Sequence, residues 1–277
     1  MSAILTSSIA ERHESRLVRN TRTALMVWRR DLIRLRRNYV RIVFGLAQPL
    51  GFLVVFSIGL AAVIGDASLP GHTSYRVFIF PGILAMSIIS SALISCVSIV
   101  WDREFGFMRE MLVAPVSRAA LIAGKTLGGG SIAMTQGLIL LVLAPAVGVH
   151  LTVARLIGLL ASLVLMAFAI TALGIVLASS VDRIQTLQTV MTLVIQPVIF
   201  TSGALFPIKD LPAWLAVVCR LNPATYGVDL ARRALLGQRF ALTIGNWVVP
   251  IWFDLVVMVL FGMLMLAIAT WRLGRTE

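Results

Sequence analysis

The sequence predicts an all-α, polytopic membrane protein with six transmembrane helices, an N-terminal interfacial helix and an external re-entrant helical hairpin. Of its 277 residues, 59% are hydrophobic and 13% are charged, whereas ordinary globular domains carry about 25% charged residues. Uncharged apolar runs recur along the chain, and about 20 such residues in a helix cross the hydrocarbon core of a bilayer. A basic arm precedes these runs, and a charged island interrupts them.

Six apolar runs are long enough to be membrane spans. They cover residues 42–64, 77–100, 126–149, 155–178, 189–206 and 247–271, and we expect residues 42–271 to form one transmembrane domain. Asp254 is the acidic residue placed well inside a predicted span. Carboxylates within a membrane are functional candidates by default. Asp254 lies near the external end, however, where reaching the interface or pairing with an arginine of the hairpin is the alternative.

Residues 1–41 form a basic cytoplasmic arm with ten arginines and three acidic residues. A stripe spaced by three or four residues predicts an amphipathic helix at the membrane surface, and it consists of Leu17, Thr21, Leu25, Trp28, Leu32 and Leu35. We expect Trp28 at headgroup level and the arginines against lipid phosphates. A nucleic-acid-binding arm is disfavoured because aromatic residues do not interleave with the basic ones for base stacking.

Residues 101–118 are the charged island between the second and third predicted spans, and we expect them to lie in water. Phe105, Met108, Met111 and Leu112 recur at helical spacing, and Pro115 ends the pattern. This pattern predicts a short amphipathic helix that docks into a groove on a partner. A loop that reverses the chain is an equally good interpretation of the spacing alone.

Residues 207–246 form the longest predicted external segment. Residues 211–219 and 223–236 are two apolar or amphipathic stretches, each too short to cross the bilayer, and Pro212 is well placed to start the first. Two such pieces joined by a turn predict a hairpin that dips partway into the outer leaflet. Helices lying on the membrane surface are the alternative.

Two motifs resemble a known family. In the island, an acidic and basic pair precedes Phe-Gly-Phe-Met-Arg-Glu-Met-Leu and then Ala-Pro-Val-Ser-Arg, and from residue 221 the chain reads Leu-Asn-Pro-Ala-Thr-Tyr-Gly. In this order they resemble motifs of the type-2 permeases of ATP-binding-cassette exporters, most closely the branch named for daunorubicin and doxorubicin resistance. The likeness extends along nearly the whole chain in the number and spacing of spans.

The resemblance implies a separate ATPase subunit in two copies, which binds ATP and Mg, and a homodimer or close heterodimer of permeases. It implies that the island and a second cytoplasmic connection, residues 179–188, contact the ATPase. The docking residues are then Arg103, Glu104, Phe105, Met108, Arg109, Glu110, Met111, Asp182 and Arg183. The hairpin of these permeases caps the path externally, which implies a gate of Leu221, Asn222, Pro223 and Tyr226.

The chain itself lacks a phosphate-binding loop. Gly124, Lys125 and Thr126 match the end of G-x-x-x-x-G-K-[ST], but Ala119 replaces the first glycine, and the segment leads into a membrane helix instead of following a strand. The three histidines all lie outside the predicted spans and indicate no metal or acid-base cluster. We therefore expect a non-catalytic subunit that binds no cofactor.

The distribution of charge predicts the orientation. With six spans and both termini inside, including a tail at residues 272–277, 17 of the 24 basic residues are cytoplasmic, as the positive-inside rule requires. The net charge of +12 is then explained by the loops and the arm and does not indicate nucleic acid. We expect a multi-pass protein of the plasma membrane, the cell inner membrane of a bacterium.

The resemblance implies efflux of an amphipathic, often cationic molecule, such as a drug or antibiotic. Candidate path residues are polar and lie within spans: Gln48, Ser91, Gln136 and Gln196. Interhelical packing is the simpler role for each. Export of a lipid-linked saccharide is the alternative within the family. A secondary transporter is disfavoured because repeats and several intramembrane charges are not seen, and a channel needs no docking helix.

Overall fold

The computed structural model describes residues 2–37, 39–60, 74–104, 117–149, 151–208, 211–238, 241–244 and 247–275. Its helices are α1 (Ser2–Arg37), α2 (Tyr39–Val55, continued by a π-helical turn, Phe56–Leu60), α3 (Tyr75–Ser95), α4 (Val97–Glu104), α5 (Arg118–Leu141), α6 (Ala144–Val147), α7 (Val153–Ser179), α8 (Ile184–Thr201), α9 (Ala213–Leu221), α10 (Pro223–Leu236) and α11 (Ile251–Arg275). A two-residue antiparallel ladder pairs β1 (Thr243–Ile244) with β2 (Trp247–Val248). The predicted helical class is confirmed, and the short ladder is an addition to it.

Helix α3 is the centre of the bundle. It is apolar on every side, which is the pattern of a helix buried all round, and Phe78, Phe80 and Leu84 are at most 1% exposed. Helices α2, α5, α7 and α10 pack around it. Together α3 and α4 form one apolar span, Tyr75–Glu104. The predicted second span thus coincides with a helical segment that is long and apolar enough to cross a membrane.

Within the described chain, four helical segments are long and apolar enough to cross a membrane: Tyr75–Glu104, Val153–Ser179, Ile184–Thr201 and Ile251–Arg272. A fifth results if Val18–Arg37 and Ile42–Val55, bent by 74° relative to each other, form one broken span. The predicted third span is not among them, because α5 carries Arg118, Lys125 and a run of three glycines. The count of six spans stays a prediction.

Three helices begin well away from the predicted start of their span, the first being α5, which begins at Arg118 and not at residue 126. Helix α8 begins at Ile184 and not at residue 189, because a carboxylate of a neighbouring helix accepts the Ile184 N–H and so satisfies a free donor of the first turn. Helix α11 begins at Ile251 and not at residue 247, since Pro250 cannot continue a helix from residues before it and Trp247–Val248 pairs with β1 instead.

Helix α1 packs along α5 through small residues. A Cβ added to Gly124 would lie 2.8 Å from the carbonyl oxygen of Ala24, and one added to Gly128 would lie 2.7 Å from Asp31 Oδ2. These two glycines therefore let the helices approach closely, as small residues four apart do in membrane bundles.

The face of α1 that meets the bundle overlaps the predicted apolar stripe in part. Trp28 lies on it and donates from Nε1 to Ser131 Oγ at 3.0 Å, and Val27 is buried beside it. Leu25, which belongs to the predicted stripe, and Met26 are more than half exposed. The interfacial position of α1 stays a prediction, with an apolar face that the bundle leaves open to lipid.

Helices α9 and α10 form the predicted hairpin. Helix α9 follows directly after Pro212, and Asn222 both ends α9 and caps α10, where its Oδ1 accepts the N–H of Ala224 at 3.0 Å. Pro223 occupies the first position of α10, where the absent N–H leaves no hydrogen bond unmade. The helix-turn-helix prediction is confirmed, and the depth of the hairpin in the bilayer stays a prediction.

Candidate functional site

The two connections predicted to be cytoplasmic and to contact a partner, residues 101–118 and 179–188, are linked to each other by polar contacts. Arg103 at the end of α4 donates from Nη1 to Asp182 Oδ1 at 3.0 Å and to the carbonyl of Val181 at 3.4 Å. Glu104, the next residue, accepts the N–H of Ile184 at 3.1 Å through Oε2. We call these five contacting residues, Arg103, Glu104, Val181, Asp182 and Ile184, the junction. It joins the end of α4 to the start of α8.

The junction is weak enough to rearrange. The Asp182 side chain is 89% exposed and that of Arg103 is 20% exposed. An exposed ion pair contributes about 0–1 kcal/mol, and a carboxylate on the N-terminal N–H groups of a helix adds a similar amount. The junction therefore positions the start of α8 but contributes little to the stability of the helix bundle.

The other end of α8 is held by the hairpin. Asn222 donates from Nδ2 to the carbonyl of Val198 at 2.7 Å and to Thr201 Oγ1 at 2.9 Å. Thr225 Oγ1 donates to Cys219 O in the hairpin at 2.5 Å and lies 3.3 Å from the carbonyl of Thr201. Helix α8 thus runs from the junction at one end of the bundle to the hairpin turn at the other.

The predicted gate residues have different environments. Asn222 and Tyr226 are buried, and the Tyr226 hydroxyl donates to the carbonyl of Arg220 at 2.9 Å. Pro223 is half-buried, whereas Leu221 is 78% exposed. Asn222 and Tyr226 therefore hold the turn together, and Leu221 is available for contact outside the chain.

A buried arginine fixes the hairpin on α3. Arg232 of α10 donates from Nη2 to the carbonyls of Gly203 and Ala204 at 2.8 and 3.3 Å. Its guanidinium carbon lies 4.4 Å from the ring centroid of Phe78, a distance at which cation–π attraction acts. Since α10 also packs on α7 and α11, the hairpin is part of the core.

Asp254 belongs to a buried charge cluster with the hairpin. Arg233 of α10 lies between two carboxylates: it donates to Asp229 and lies 3.2 Å from Asp254 Oδ2. It also donates to the carbonyl of Val249 at 2.7 Å, and Asp229 accepts the N–H of Leu242 at 2.9 Å. All three charged side chains are at most 4% exposed. The predicted pairing of Asp254 with a hairpin arginine is confirmed.

A second ionic cluster joins α1 to the junction end of the bundle. Asp102 of α4 accepts from Arg30 at 2.6 Å, from Lys125 at 2.8 Å and from Arg34 at 3.3 Å. Asp31 lies 3.5 Å from Lys125. Asp102 is 2% exposed, so the expectation that the whole island lies in water is wrong at this residue. Three cations from two helices surround its carboxylate and replace its hydration.

The four candidate path residues divide into two pairs. Gln48 on α2 and Gln196 on α8 are exposed at the surface of the chain. Ser91 and Gln136 are buried between helices; a Cβ on Gly45 would lie 2.1 Å from Gln136 Nε2, which places this amide against α2. The buried pair is positioned for helix packing, and the exposed pair is positioned to meet something outside the chain.

Five of the predicted docking residues lie outside the described part of the chain: Phe105, Met108, Arg109, Glu110 and Met111. Arg183 is exposed at the start of α8. The docking roles therefore stay predictions. Among the described residues, no group of three or more metal-ligating side chains lies together, and Cys96 and Cys219 are buried and form no disulfide.

Of the two ionic clusters, the sequence analysis offered only the pairing of Asp254 with a hairpin arginine and missed the other members of both. A signal existed for one of them, since Asp229 and Arg233 are four residues apart on a predicted helix, a spacing that brings opposite charges together. For the other, Lys125 lies just before the predicted third span, residues 126–149, and its place inside α5 follows from the start of that helix at Arg118.

These features define a multi-pass membrane protein whose spanning helices are linked at both ends by polar contacts. Residues 22–236 match the ABC-2 type transporter family. Because the match covers well over half of the chain, the protein belongs to that family, whose permeases generally work with an ATPase subunit.

Named relatives agree with this assignment. The ycf38 protein of Cyanophora paradoxa, which is named as a transport permease, is 30% identical over 207 residues, covering 74% of this chain and 71% of the relative. Nodulation protein J of Rhizobium leguminosarum bv. trifolii is 28% identical, covering 77% and 81%. The inner membrane transport permease YadH of Escherichia coli K12 is 27% identical, covering 76% and 82%.

Proposed function

We propose that this chain is the non-catalytic permease subunit of an ATP-driven exporter that moves an amphipathic small molecule out of the cytoplasm or inner leaflet. The junction carries this proposal. It connects the island predicted to dock the ATPase, through Arg103 and Glu104, to the first turn of the spanning helix α8. Closure of two ATPase subunits on ATP would displace the island, and the junction would pass that displacement to α8.

The contacts at the hairpin extend this relay to the other end of the bundle. A displacement of α8 acts on Asn222, which bonds to Val198 and Thr201 in its last turn. The hairpin turn is thereby coupled to the island through one helix. Such a two-state element can be biased by a nucleotide bound on a partner. ATP and Mg are held by the ATPase subunits in this proposal.

The surface of α8 supports assembly of two permeases around a path. Both α8 and α11 leave most of their surface uncovered by the rest of the chain. Only 22% of the most apolar stretch of α8 is buried, and only 11% of that of α11. The open face of α11 carries apolar side chains such as Leu255, Val259 and Leu260, which suits contact with lipid. Gln188, Thr192 and Gln196 follow one exposed face of α8, and polar amides are costly against lipid tails.

We therefore infer a homodimer or close heterodimer in which α8 and the Gln48 face of α2 are turned toward the second permease. Two copies of the ATPase would bind the two islands. In this arrangement each subunit has six spans and cytoplasmic termini. The orientation follows from the positive-inside rule, because it places most basic residues on the cytoplasmic side. The protein would reside in the plasma membrane.

The cargo assigned by the motif resemblance is an amphipathic drug or antibiotic. A lipid-like cargo, such as a lipid-linked saccharide, is the second candidate. It is favoured by the four basic side chains gathered near the junction, Arg30, Arg34, Arg37 and Lys125, which can meet a phosphate. Both cargoes call for an apolar cavity with few polar groups.

The test is reconstitution of the permease with its ATPase in liposomes. We expect ATP hydrolysis stimulated by one class of amphiphile, ATP-dependent movement of that amphiphile, and loss of both in Glu110→Ala, with Arg19→Ala on the exposed face of α1 as the control. Movement that needs no ATP would contradict the proposal and would favour a secondary transporter or a channel.

A further inference from the structure

A cavity of about 890 Å³ opens at the junction end of the bundle. Its walls are contributed by α1, α3, α4, α5 and α8, and its apolar lining includes Ile94, Trp101, Ile132, Met191 and Ile195. Drug-sized ligands occupy cavities of roughly 300–1,000 Å³. The space is therefore large enough for a ligand of that size, or for part of a lipid.

One side of this cavity is positively charged. Asp31, Arg34, Arg37 and Asp102 line it. The two carboxylates are already compensated, because Lys125 and Arg30 lie 2.8 and 2.6 Å from Asp102 and Lys125 also lies 3.5 Å from Asp31. Arg34, half exposed, adds a third cation to the same cluster. The cluster thus has three cations for two anions.

Arg37 increases this excess. It is exposed on the last turn of α1, lines the same cavity, and makes no ion pair within the described part of the chain. Arg34 and Arg37 are three residues apart and so lie on the same side of the helix. Guanidinium groups bind phosphate and carboxylate oxygens in bidentate geometry, which makes this pair suited to an anionic headgroup.

We propose that this cavity binds an anionic amphiphile, with its phosphate or carboxylate headgroup on Arg34 and Arg37 and its apolar chain along the wall of α3, α5 and α8. Among the described residues that line the cavity, both carboxylates, Asp31 and Asp102, are already compensated, so a cationic amphiphile finds no partner for its charge there. The apolar chain can leave past Ile94 and Trp101, which are 42% and 50% exposed at the rim. Basic pockets between membrane helices bind anionic lipid headgroups by the same chemistry.

The claim that this cavity holds transported cargo rests on the proposed exporter function, whereas the claim that it binds an anionic amphiphile does not. Binding is therefore measured on the purified permease alone, by native mass spectrometry in a neutral detergent. Dioleoyl phosphatidate is titrated against dioleoyl phosphatidylcholine, which has the same chains and a zwitterionic headgroup. We expect phosphatidate to bind at least about tenfold more tightly, since a charged hydrogen bond contributes roughly one power of ten in affinity.

Three variants localise the site. Arg34→Gln with Arg37→Gln should remove the preference for phosphatidate, whereas Arg36→Gln, an exposed neighbour that does not line the cavity, should keep it. Met191→Trp should weaken binding of both lipids by filling the apolar part. Equal binding of the two lipids to the wild type, or equal loss in Arg36→Gln and in the double variant, would overturn the proposal.

An anionic amphiphile in this cavity is either a resident lipid of the inner leaflet or a transported cargo. Reconstitution of the permease with its ATPase in liposomes distinguishes these two cases. A labelled phosphatidate that stays bound during ATP turnover is a resident lipid, and one that is released to the outer leaflet is cargo, and either result supports the site. Failure of binding leaves the exporter proposal standing, and failure of ATP-driven movement leaves the binding site standing.

Discussion

Replacement of Arg233 by methionine is the perturbation with the largest expected effect on the stability of this protein. The guanidinium lies between Asp229 and Asp254 and is 3% exposed. Methionine fills a similar length and removes the charge. Two carboxylates, at most 4% exposed, then face each other without a compensating cation.

The magnitude follows from the buried carboxylates that remain. Removing one partner of a buried ion pair costs about 3–5 kcal/mol. A change of 1 kcal/mol shifts Tm by roughly 2–4 °C in chains of 150–250 residues, so Arg233→Met should lower Tm by about 10 °C. The measurement is thermal unfolding of the purified permease in detergent, followed by the fluorescence of a thiol probe that reacts with the buried Cys96 and Cys219 as they become exposed.

Asp254→Asn is the matched comparison. It removes one carboxylate charge while Arg233 keeps Asp229, and the amide oxygen can still accept a hydrogen bond, so the loss should stay below about 1.5 kcal/mol. Arg183→Ala, an exposed arginine, should leave Tm unchanged. A loss in Asp254→Asn as large as that in Arg233→Met would refute the reasoning, because the cation would then not be the element that holds the cluster.

Three further results are expected. Gly128→Leu should detach α1 from α5 and raise protease cleavage within α1, whereas Gly51→Leu, where an added Cβ meets nothing within 4 Å, should not. Asn222→Ala should cost about 1–2 kcal/mol of stability through the lost cap and the two contacts to α8, whereas Leu221→Ala, exposed, should be neutral in the same unfolding assay. Glu104→Ala should speed hydrogen exchange of the first-turn amides of α8 with little change in Tm.

The parts of the fold that were predictable are those in which one residue type determines local structure. The apolar run of α3 indicates a helix buried on every side, and it lies at the centre of the bundle. Pro212 and the Asn222–Pro223 pair mark the two helix starts of the hairpin, because proline favours the first turn and asparagine caps it. Gly124 and Gly128 indicate close helix packing for the same kind of local reason.

Apart from the pair of Asp229 and Arg233 within α10, the charge clusters depend on contacts between helices distant in sequence, which helical spacing does not reveal. In the sequence alone, Asp102 resembles a solvated loop residue. In the structure, α5 begins at Arg118 and therefore includes Lys125, whose ammonium group lies beside Asp102. The start of α8 was placed too late because its first turn is polar and is completed by Glu104, 80 residues earlier. Such positions are determined by tertiary partners, which override local propensity.

The central claim is that the junction passes ATPase motion to α8, and a charge exchange at Arg103 and Asp182 tests it most directly. Arg103→Asp and Asp182→Arg each put like charges on two residues whose side chains are in contact in the wild type, at 3.0 Å, whereas the double variant restores an opposite pair. In liposomes with the ATPase, we predict that each single variant hydrolyses ATP without the stimulation by cargo and without transport, and that the double variant recovers both. Full coupling in both single variants, or no recovery in the double variant, would contradict the account.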